Sequence, residues 1–464
     1  MTSVRERLVA AQPEPFWLAD PARPQPMPRV ANDVRTDLLV VGGGYAGLWS
    51  ALLARERNPH RDIVLVEAGT CGNEASGRNG GFCEASLTHG FDNGVARWPD
   101  ELPELLRLGR ENLDAIEQTV SKYGIDCNFE RNGELDIATE DYQVDELRDG
   151  VETMRAYGGA AEFLDGDAAR TRFDSPLVRA AIYDPDVALV DPARLAWGLR
   201  AACLEAGVEI YENSRASDLD RSGTDMRVRI GEHTVTARRV ILATNAFPPL
   251  LRRLRLMTVP VYDYALMSEP LTERQLSEIG WSGREGVGDS GNQFHYLRLS
   301  RDNRILFGGY DAIYHYGNGI RRSYEQRLDT FETLGRHFDA YFPSLEGIGF
   351  THRWGGVIDT STQFSAFYGT AYGGSVAYAL GFTGLGVGAT RFAALVMLDL
   401  LDGATTERTE LEMVRKKPLP FPPEPVRYAG VQLTRWSLAR ADANQGKRNP
   451  WLKLTDALGL GFDS

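Results

Sequence analysis

Thr36-Asp37-Leu38-Leu39-Val40-Val41-Gly42-Gly43-Gly44-Tyr45-Ala46-Gly47 decides the fold of this 464-residue chain, read with Leu48-Trp49-Ser50-Ala51-Leu52-Leu53-Ala54 behind it and the closing run Ile63-Val64-Leu65-Val66-Glu67. The apolar run before the glycines is short and aliphatic, as a buried parallel strand should be. Gly42 permits a tight turn, Gly44 lets backbone approach a pyrophosphate, and Gly47 lets the helix pack closely on the strand. Tyr45 and Ala46 open that helix, whose first amides and dipole face the phosphate. Glu67 ends the second strand twenty residues beyond Gly47, where a carboxylate accepts from a ribose hydroxyl. A glycine turn alone says little; strand, helix and acid together predict a Rossmann-like dinucleotide unit.

Composition bounds the rest. A chain this long exceeds one hydrophobic core, so we expect two interwoven domains with small extensions. The net charge of −13 argues against nucleic acid and against an anionic membrane surface. No stretch approaches the apolar length of a membrane span, and the N-terminus lacks the apolar core of a signal peptide; both point to a cytoplasmic protein. Cys71, Cys83, Cys127 and Cys203 show no paired spacing, which suits free thiols in a reducing compartment and no metal. Lysine is confined to positions 122, 416, 417, 447 and 453.

Outward from the glycine turn, the proline-rich residues 11 to 34 read as an extended arm, with Phe16 and Trp17 packing rather than binding. Ser76-Gly77-Arg78-Asn79-Gly80-Gly81 is either a solvated loop or a sharp backbone course whose Ser76, Arg78 and Asn79 donors face a phosphate or a heterocycle. Helices are expected over 103–123, 142–157 and 192–206, and strands over 133–138 and 207–211. Residues 226–230 and 234–237 read as a hairpin, followed by a separate buried strand, 240–246, whose Ala243 and Thr244 suit backbone lying close to a cofactor. From 259 to 307 the strands lengthen and alternate, which predicts a mostly antiparallel sheet. In Phe294-His295-Tyr296-Leu297-Arg298-Leu299, period two puts Tyr296 and Arg298 on one face, toward a ligand cavity or toward water. Gly381-Phe382-Thr383-Gly384-Leu385-Gly386-Val387-Gly388 feeds another helix, a second terminus able to hold negative charge.

Together, the Gly42–Gly47 turn, Glu67, the loop 76–81, Ala243-Thr244-Asn245-Ala246 and the loop 381–388 resemble the D-amino-acid oxidase-like family of FAD-dependent amine and amino acid oxidoreductases. Ser76–Gly81, Tyr296-Leu297-Arg298-Leu299-Ser300 ahead of Phe307-Gly308-Gly309, and Phe421-Pro422-Pro423-Glu424-Pro425 make the chain most similar to the gamma-glutamylputrescine oxidoreductase branch. The resemblance implies an α/β fold, α+β overall. It places an N-terminal arm at 1–34, a discontinuous FAD domain at 35–95, 160–258 and 351–405, a substrate domain at 96–159 and 259–350, and a wrapping extension at 406–464.

It further implies that Gly42, Gly44, Tyr45, Ala46 and Gly47 hold the pyrophosphate and that Glu67 and Ala68 hold the ribose. Ser76, Gly77, Arg78, Asn79, Gly80 and Gly81 would serve the pyrophosphate and flavin side, and Ala216 the adenine. Ala243 and Thr244 would approach the cofactor, and Gly384, Leu385, Gly386 and Val387 would cover the flavin pyrimidine, where a helix N-terminus stabilises reduced flavin. The implied reaction is hydride transfer from the carbon beside an amine nitrogen to flavin N5, with the imine hydrolysed and oxygen reduced to hydrogen peroxide. Such chemistry needs orientation more than a protein acid or base, so no catalytic residue is named. Tyr262, Tyr264, Tyr296, Arg298, His352 and Trp354 are the substrate-lining candidates, with Arg353 behind them; aromatic residues of this kind serve equally as core. Arg298 would suit a substrate carboxylate, whereas a polyamine would want carboxylates and aromatic faces.

Some members of the resembled family link flavin through a cysteine shortly before the final glycine loop; none of the four cysteines lies there, so FAD is expected to be non-covalent, with Cys83 and His89 as alternative places for a link. No lysine lies between 122 and 416. Oxygen would therefore meet another cation, such as His352 or an arginine, or the enzyme is a dehydrogenase of D-amino acids or amines that passes electrons to a quinone or carrier. A non-catalytic flavoprotein is the third reading.

Overall fold

The computed structural model describes residues 3–459. The first of its two large sheets is built on the opening stretch. The strand Val34–Val41 lies between Ile63–Val66 and His233–Leu242, both parallel to it. Glu209–Tyr211 extends the sheet on one side, and Val376–Leu380 with the antiparallel Phe367–Ala371 extends it on the other. Period two divides the central strand. Leu38 and Val40 pack under the helices Tyr45–Arg57, Pro192–Glu205 and Gly386–Asp402, while Leu39 and Val41 pack under an antiparallel meander through Ala216–Ser222 and Asp225–Ile230. The hairpin expected over 226–237 forms, with Asp225–Ile230 antiparallel to residues 233–237, whereas the separate strand expected over 240–246 is corrected. His233–Leu242 is one continuous strand, whose first residues pair with Asp225–Ile230 while residues 235–242 join the parallel sheet; residues 243–245 lie beyond its end.

The second sheet is mostly antiparallel. Its order is Ile313–Tyr314, Thr258–Ser268, Ile305–Gly309, His295–Leu299, Gly286–Asp289, Glu134–Ala138, Ala180–Asp184 and Glu162–Asp165. Phe350–Ser361 pairs along nearly the whole length of Thr258–Ser268. One face, with Leu266, Leu297, Leu299 and Phe307, buries itself against the helix Leu328–Tyr341 through Phe331, Leu334 and Phe338. The other face looks toward the first sheet.

Two domain boundaries move as a result. Glu162–Asp165 and Ala180–Asp184, expected in the cofactor domain, hydrogen-bond into the second sheet, and Phe350–Ser361 does the same. Sequence order hides this, because the chain crosses between the sheets more often than its composition changes. The arm is not wholly extended either. Val4–Val9 is a helix with a Ser3/Glu6 capping box, and Phe16–Ala19 is a 3-10 turn that buries Trp17 to 3% exposure. The described residues after 406 form four helices, the longest Val426–Asp442.

Candidate active site

A continuous cavity of about 1400 Å³ runs from the glycine turn, between the sheets, to the C-terminal helices. At the turn, Gly42 has φ +114°, and a Cβ there would stand 2.3 Å from the Ala243 carbonyl oxygen. A Cβ on Gly47 would stand 1.8 Å from the Gly42 carbonyl oxygen. Helix, strand and the Ala243 segment therefore meet with no room for side chains, and the turn is bare backbone toward the cavity. The helix begins there, so its first amides have no partner within the helix. The Glu67 carboxylate accepts from the Gly43 and Gly69 amides, each at 2.7 Å, and lines the cavity. Burial raises its pKa. Gly42, Gly44, Tyr45, Ala46, Ala68, Ala216, Ala243 and Thr244 line the same wall. A bare turn, a helix start and an acid at ribose distance are the donor and acceptor set that a dinucleotide requires, and the residues present fit one.

Ser76, Arg78, Asn79, Gly80 and Gly81 also line the cavity, but their expected donors are largely engaged within the protein. Ser76 Oγ accepts from the Tyr45 amide at 2.9 Å. Arg78 is buried against Glu325 at 2.8 Å and donates through Nε to the Asn73 carbonyl. Asn79 donates to the Ala75 carbonyl, and its Oδ1 accepts from the Gly81 amide. Trp17 and Trp354 donate their indole N–H groups to the Asn79 and Arg78 carbonyls at 3.0 and 2.8 Å. The loop is a rigid rim held from both sides. Gly47 and Gly77 do not line the cavity; they permit the close packing behind it.

Opposite, Gly384, Leu385, Gly386 and Val387 bring the start of the helix Gly386–Asp402 to the cavity. His89 lines it too, with Nε2 2.7 Å from the Thr383 carbonyl oxygen. The four cysteines are buried and free, and none lines the cavity among the described residues. Among the same residues no group of three or more histidines, cysteines or acids could hold a metal, and no helix is long and apolar enough to cross a membrane.

The second sheet supplies the far wall. Strand register sets Trp354, Ala265, Gly308, Tyr296 and Gly288 in one row across five strands, and all but Gly308 line the cavity. The Tyr296 ring lies over Gly308 and against Gly80, where added Cβ atoms would come within 2.3 and 2.9 Å of it. Its hydroxyl donates to Asp263 at 2.6 Å. Burial pushes the Asp263 carboxyl up to about 6, against the lowering pull of that hydrogen bond. Tyr264 edges the cavity and donates to the Tyr324 carbonyl at 2.7 Å.

Three expected substrate-lining residues, and Arg353 behind them, are elsewhere. Arg298, 1% exposed, shares the face of Tyr296 but lies where the Gly80–Gly81 loop covers the sheet, and it donates to the Val190 carbonyl. Tyr262 points into the helix-side core, with its hydroxyl on the Arg321 backbone. His352 packs edge-on to Phe16, 5.3 Å between ring centres, and Arg353 stands over Phe331. None of these four lines the cavity. Asp263, Glu84 and Glu134, which do, were missed, because an acid alternating with apolar residues in a strand reads as solvent-facing. The signal for Asp263 was its place between Tyr262 and Tyr264 in an otherwise apolar strand.

Glu134 extends over the sheet, with Oε1 3.3 Å from where a Gly288 Cβ would stand. Burial raises its pKa, and Glu84, Asp136 and Asp184 add to the effect. The extension beyond residue 400 closes the remaining side: Asp442 accepts from the Asn292 amide and side chain and from the Gln293 amide, and Arg435 reaches Asp311 at 2.6 Å.

A family model described as FAD dependent oxidoreductase, the DAO family, matches residues 37–400. Gamma-glutamylputrescine oxidoreductase of Escherichia coli K12 is 30% identical over 401 residues, covering 84% of this chain and 88% of that protein. A probable oxidoreductase, OrdL, of Haemophilus influenzae is 25% identical over 388 residues, covering 81% and 85%. In fold, the crystal structure of glycine oxidase from Geobacillus kaustophilus matches with a TM-score of 0.66 at 20% identity, over 81% of this chain and 96% of that one.

Proposed function

Since this chain belongs to the FAD-dependent oxidoreductase family, we propose that it is an amine oxidase acting on gamma-glutamylputrescine or a related small amine, with FAD held non-covalently. One observation carries the reading: the half-buried Asp263–Tyr296 pair faces the same cavity as the dinucleotide turn. The bound cofactor supplies the two-electron acceptor for a hydride leaving the carbon next to the amine nitrogen. An amine arrives as an ammonium, and it must lose a proton before its lone pair can form the carbon–nitrogen double bond. The Asp263 carboxylate is the acceptor for that proton, and the Tyr296 hydroxyl fixes which oxygen faces the substrate. Trp354 and Tyr264 wall the site, and the imine leaves for hydrolysis in water.

In the cofactor wall we assign the pyrophosphate to the Gly42–Gly47 turn, the ribose to Glu67 and Ala68, the adenine to the backbone near Ala216, and the flavin to the Gly80–Gly81 and Gly384–Val387 segments. Non-covalent binding is supported by the burial of all four cysteines and by the engagement of His89 with Thr383. We read the first sheet as the cofactor unit and the second as the substrate unit.

Oxygen is the acceptor in this reading. The dehydrogenase alternative is favoured by one fact: no lysine lines the cavity among the described residues. Oxygen uptake and peroxide, measured beside dye reduction with the same amine, decide between them. Turnover with oxygen at a rate comparable to that with dye supports the oxidase; dye reduction without oxygen uptake assigns the dehydrogenase.

A further inference from the structure

We propose that the substrate carries a second positively charged group, an ammonium separated from the oxidised amine by a carbon chain, and that Glu84 and Glu134 hold it. This rests on the amine-oxidising reading above and names the substrate class of the same site.

The site itself is the cavity, and the carboxylates decide its charge preference. Glu134 begins a strand of the second sheet, and Glu84 ends the strand Phe82–Glu84. Phe82 packs edge-on to Tyr296 with 6.0 Å between ring centres, and Glu84 lies close enough to Glu134 to act on it electrostatically, so the two acids meet from different elements. Both line it, and among the described residues neither has a hydrogen-bond or ion-pair partner. Their neighbours are already engaged: Asp136 accepts from Ser290, and Asp184 accepts from the Asp186 amide. Arg110 and Arg131 stand by Asp186, at 3.8 and 3.9 Å, and form no ion pair with either glutamate.

A protein gains nothing in stability by directing two unpaired carboxyl groups at one space: ionised they repel and carry a desolvation cost, and burial raises the pKa of both. A ligand cation relieves both. Register gives the spacing: Tyr296 pairs with Gly288, and Gly288 with Asp136 two residues along from Glu134. The row is thus two strand spacings wide, about 10 Å of sheet. Gly288 leaves it bare, and Glu134 reaches back over that bare floor toward Tyr296. A flexible chain with an amine at each end lies along it, one end at Asp263 and the other at the glutamates.

The test compares purified holoenzyme on butylamine, 1,4-diaminobutane, longer diamines and 4-aminobutanoate, then repeats the series with Glu84→Gln and Glu134→Gln. Diamines should exceed butylamine in kcat/KM by about tenfold or more, the worth of one charged hydrogen bond, and 4-aminobutanoate should be the poorest. Each variant should lower the diamine-to-monoamine ratio by about the same factor, through KM. The bis-quaternary cation 1,4-bis(trimethylammonium)butane, which has no lone pair to oxidise, should inhibit competitively and bind the variants more weakly. Equal kcat/KM for mono- and diamines, or an unchanged ratio in both variants, overturns this inference and leaves the amine oxidase intact. Failure of every amine to turn over, with oxidation of another substrate class, overturns both.

Discussion

The Tyr296 hydroxyl donates a 2.6 Å hydrogen bond to the Asp263 carboxylate, and glycines 80 and 308 are what let the ring lie where it does. Asp263 ionises near pH 6 because burial disfavours its charge. If its carboxylate takes the amine proton, kcat/KM falls as pH drops through about 6. Asp263→Asn should remove that acid limb and lower kcat/KM by about a hundredfold or more. Tyr296→Phe removes a donor to the charged form, so the limb should move to higher pH rather than vanish. The stability consequence has the opposite sign. A carboxyl whose folded pKa lies above its unfolded value contributes stability below the unfolded value and loses it as pH rises through about 6. Asp263→Asn should therefore raise Tm relative to wild type above pH 6, measured by thermal melts across pH.

At the cofactor end, Gly47→Ala puts a methyl 1.8 Å from the Gly42 carbonyl oxygen, where backbone rather than a flexible side chain must move. The helix start then withdraws from the turn. The purified variant should retain its fold by far-UV circular dichroism yet lose most of its yellow colour, and absorbance titration with added FAD should show affinity weakened by about a hundredfold or more.

Arg298 separates a structural from a binding role. Its guanidinium is buried beneath the loop and donates to the carbonyl oxygen of Val190. Arg298→Met strands that acceptor, so unfolding free energy should fall by about 1–3 kcal/mol. KM for a carboxylate-bearing amine should stay within about twofold, less than half of the 1.4 kcal/mol that a tenfold change represents. A tenfold rise in that KM with an unchanged melt would return Arg298 to the substrate.

The C-terminal extension is part of the site's wall. Asp442 accepts three hydrogen bonds from Asn292 and Gln293, both of which line the cavity. Asp442→Ala should loosen that loop, raising KM several-fold with a smaller effect on kcat, while bound FAD and its spectrum remain as in wild type.

How much of this was legible in the sequence follows from where each signal lives. The stretch from Thr36 to Glu67 is local, with strand, turn, helix and acid all within reach of one another, and the structure forms it as the residue types dictate. Helical spacing marks the helix over 103–123, and Asp191 with Pro192 opens the one over 192–206; both formed within a residue or two of expectation. The substrate wall depends on contacts between distant segments. Arg298 and Tyr296 share a face by period two, yet a loop more than 200 residues away covers one and leaves the other open. Glu134 looks solvent-facing until Glu84, fifty residues earlier in the chain, is folded opposite it. Sequence periodicity tells which face a residue is on, but not what covers that face.

Anaerobic reduction of the bound flavin by amines tests the central claim most directly. Mixed with a small primary amine or diamine in the absence of oxygen, the wild-type protein should lose its oxidised-flavin absorbance in a saturable first-order phase, and Asp263→Asn should do so more slowly by about a hundredfold or more. Persistence of the yellow spectrum with every amine, in a protein that is fully loaded with FAD and is bleached by dithionite, would contradict the account.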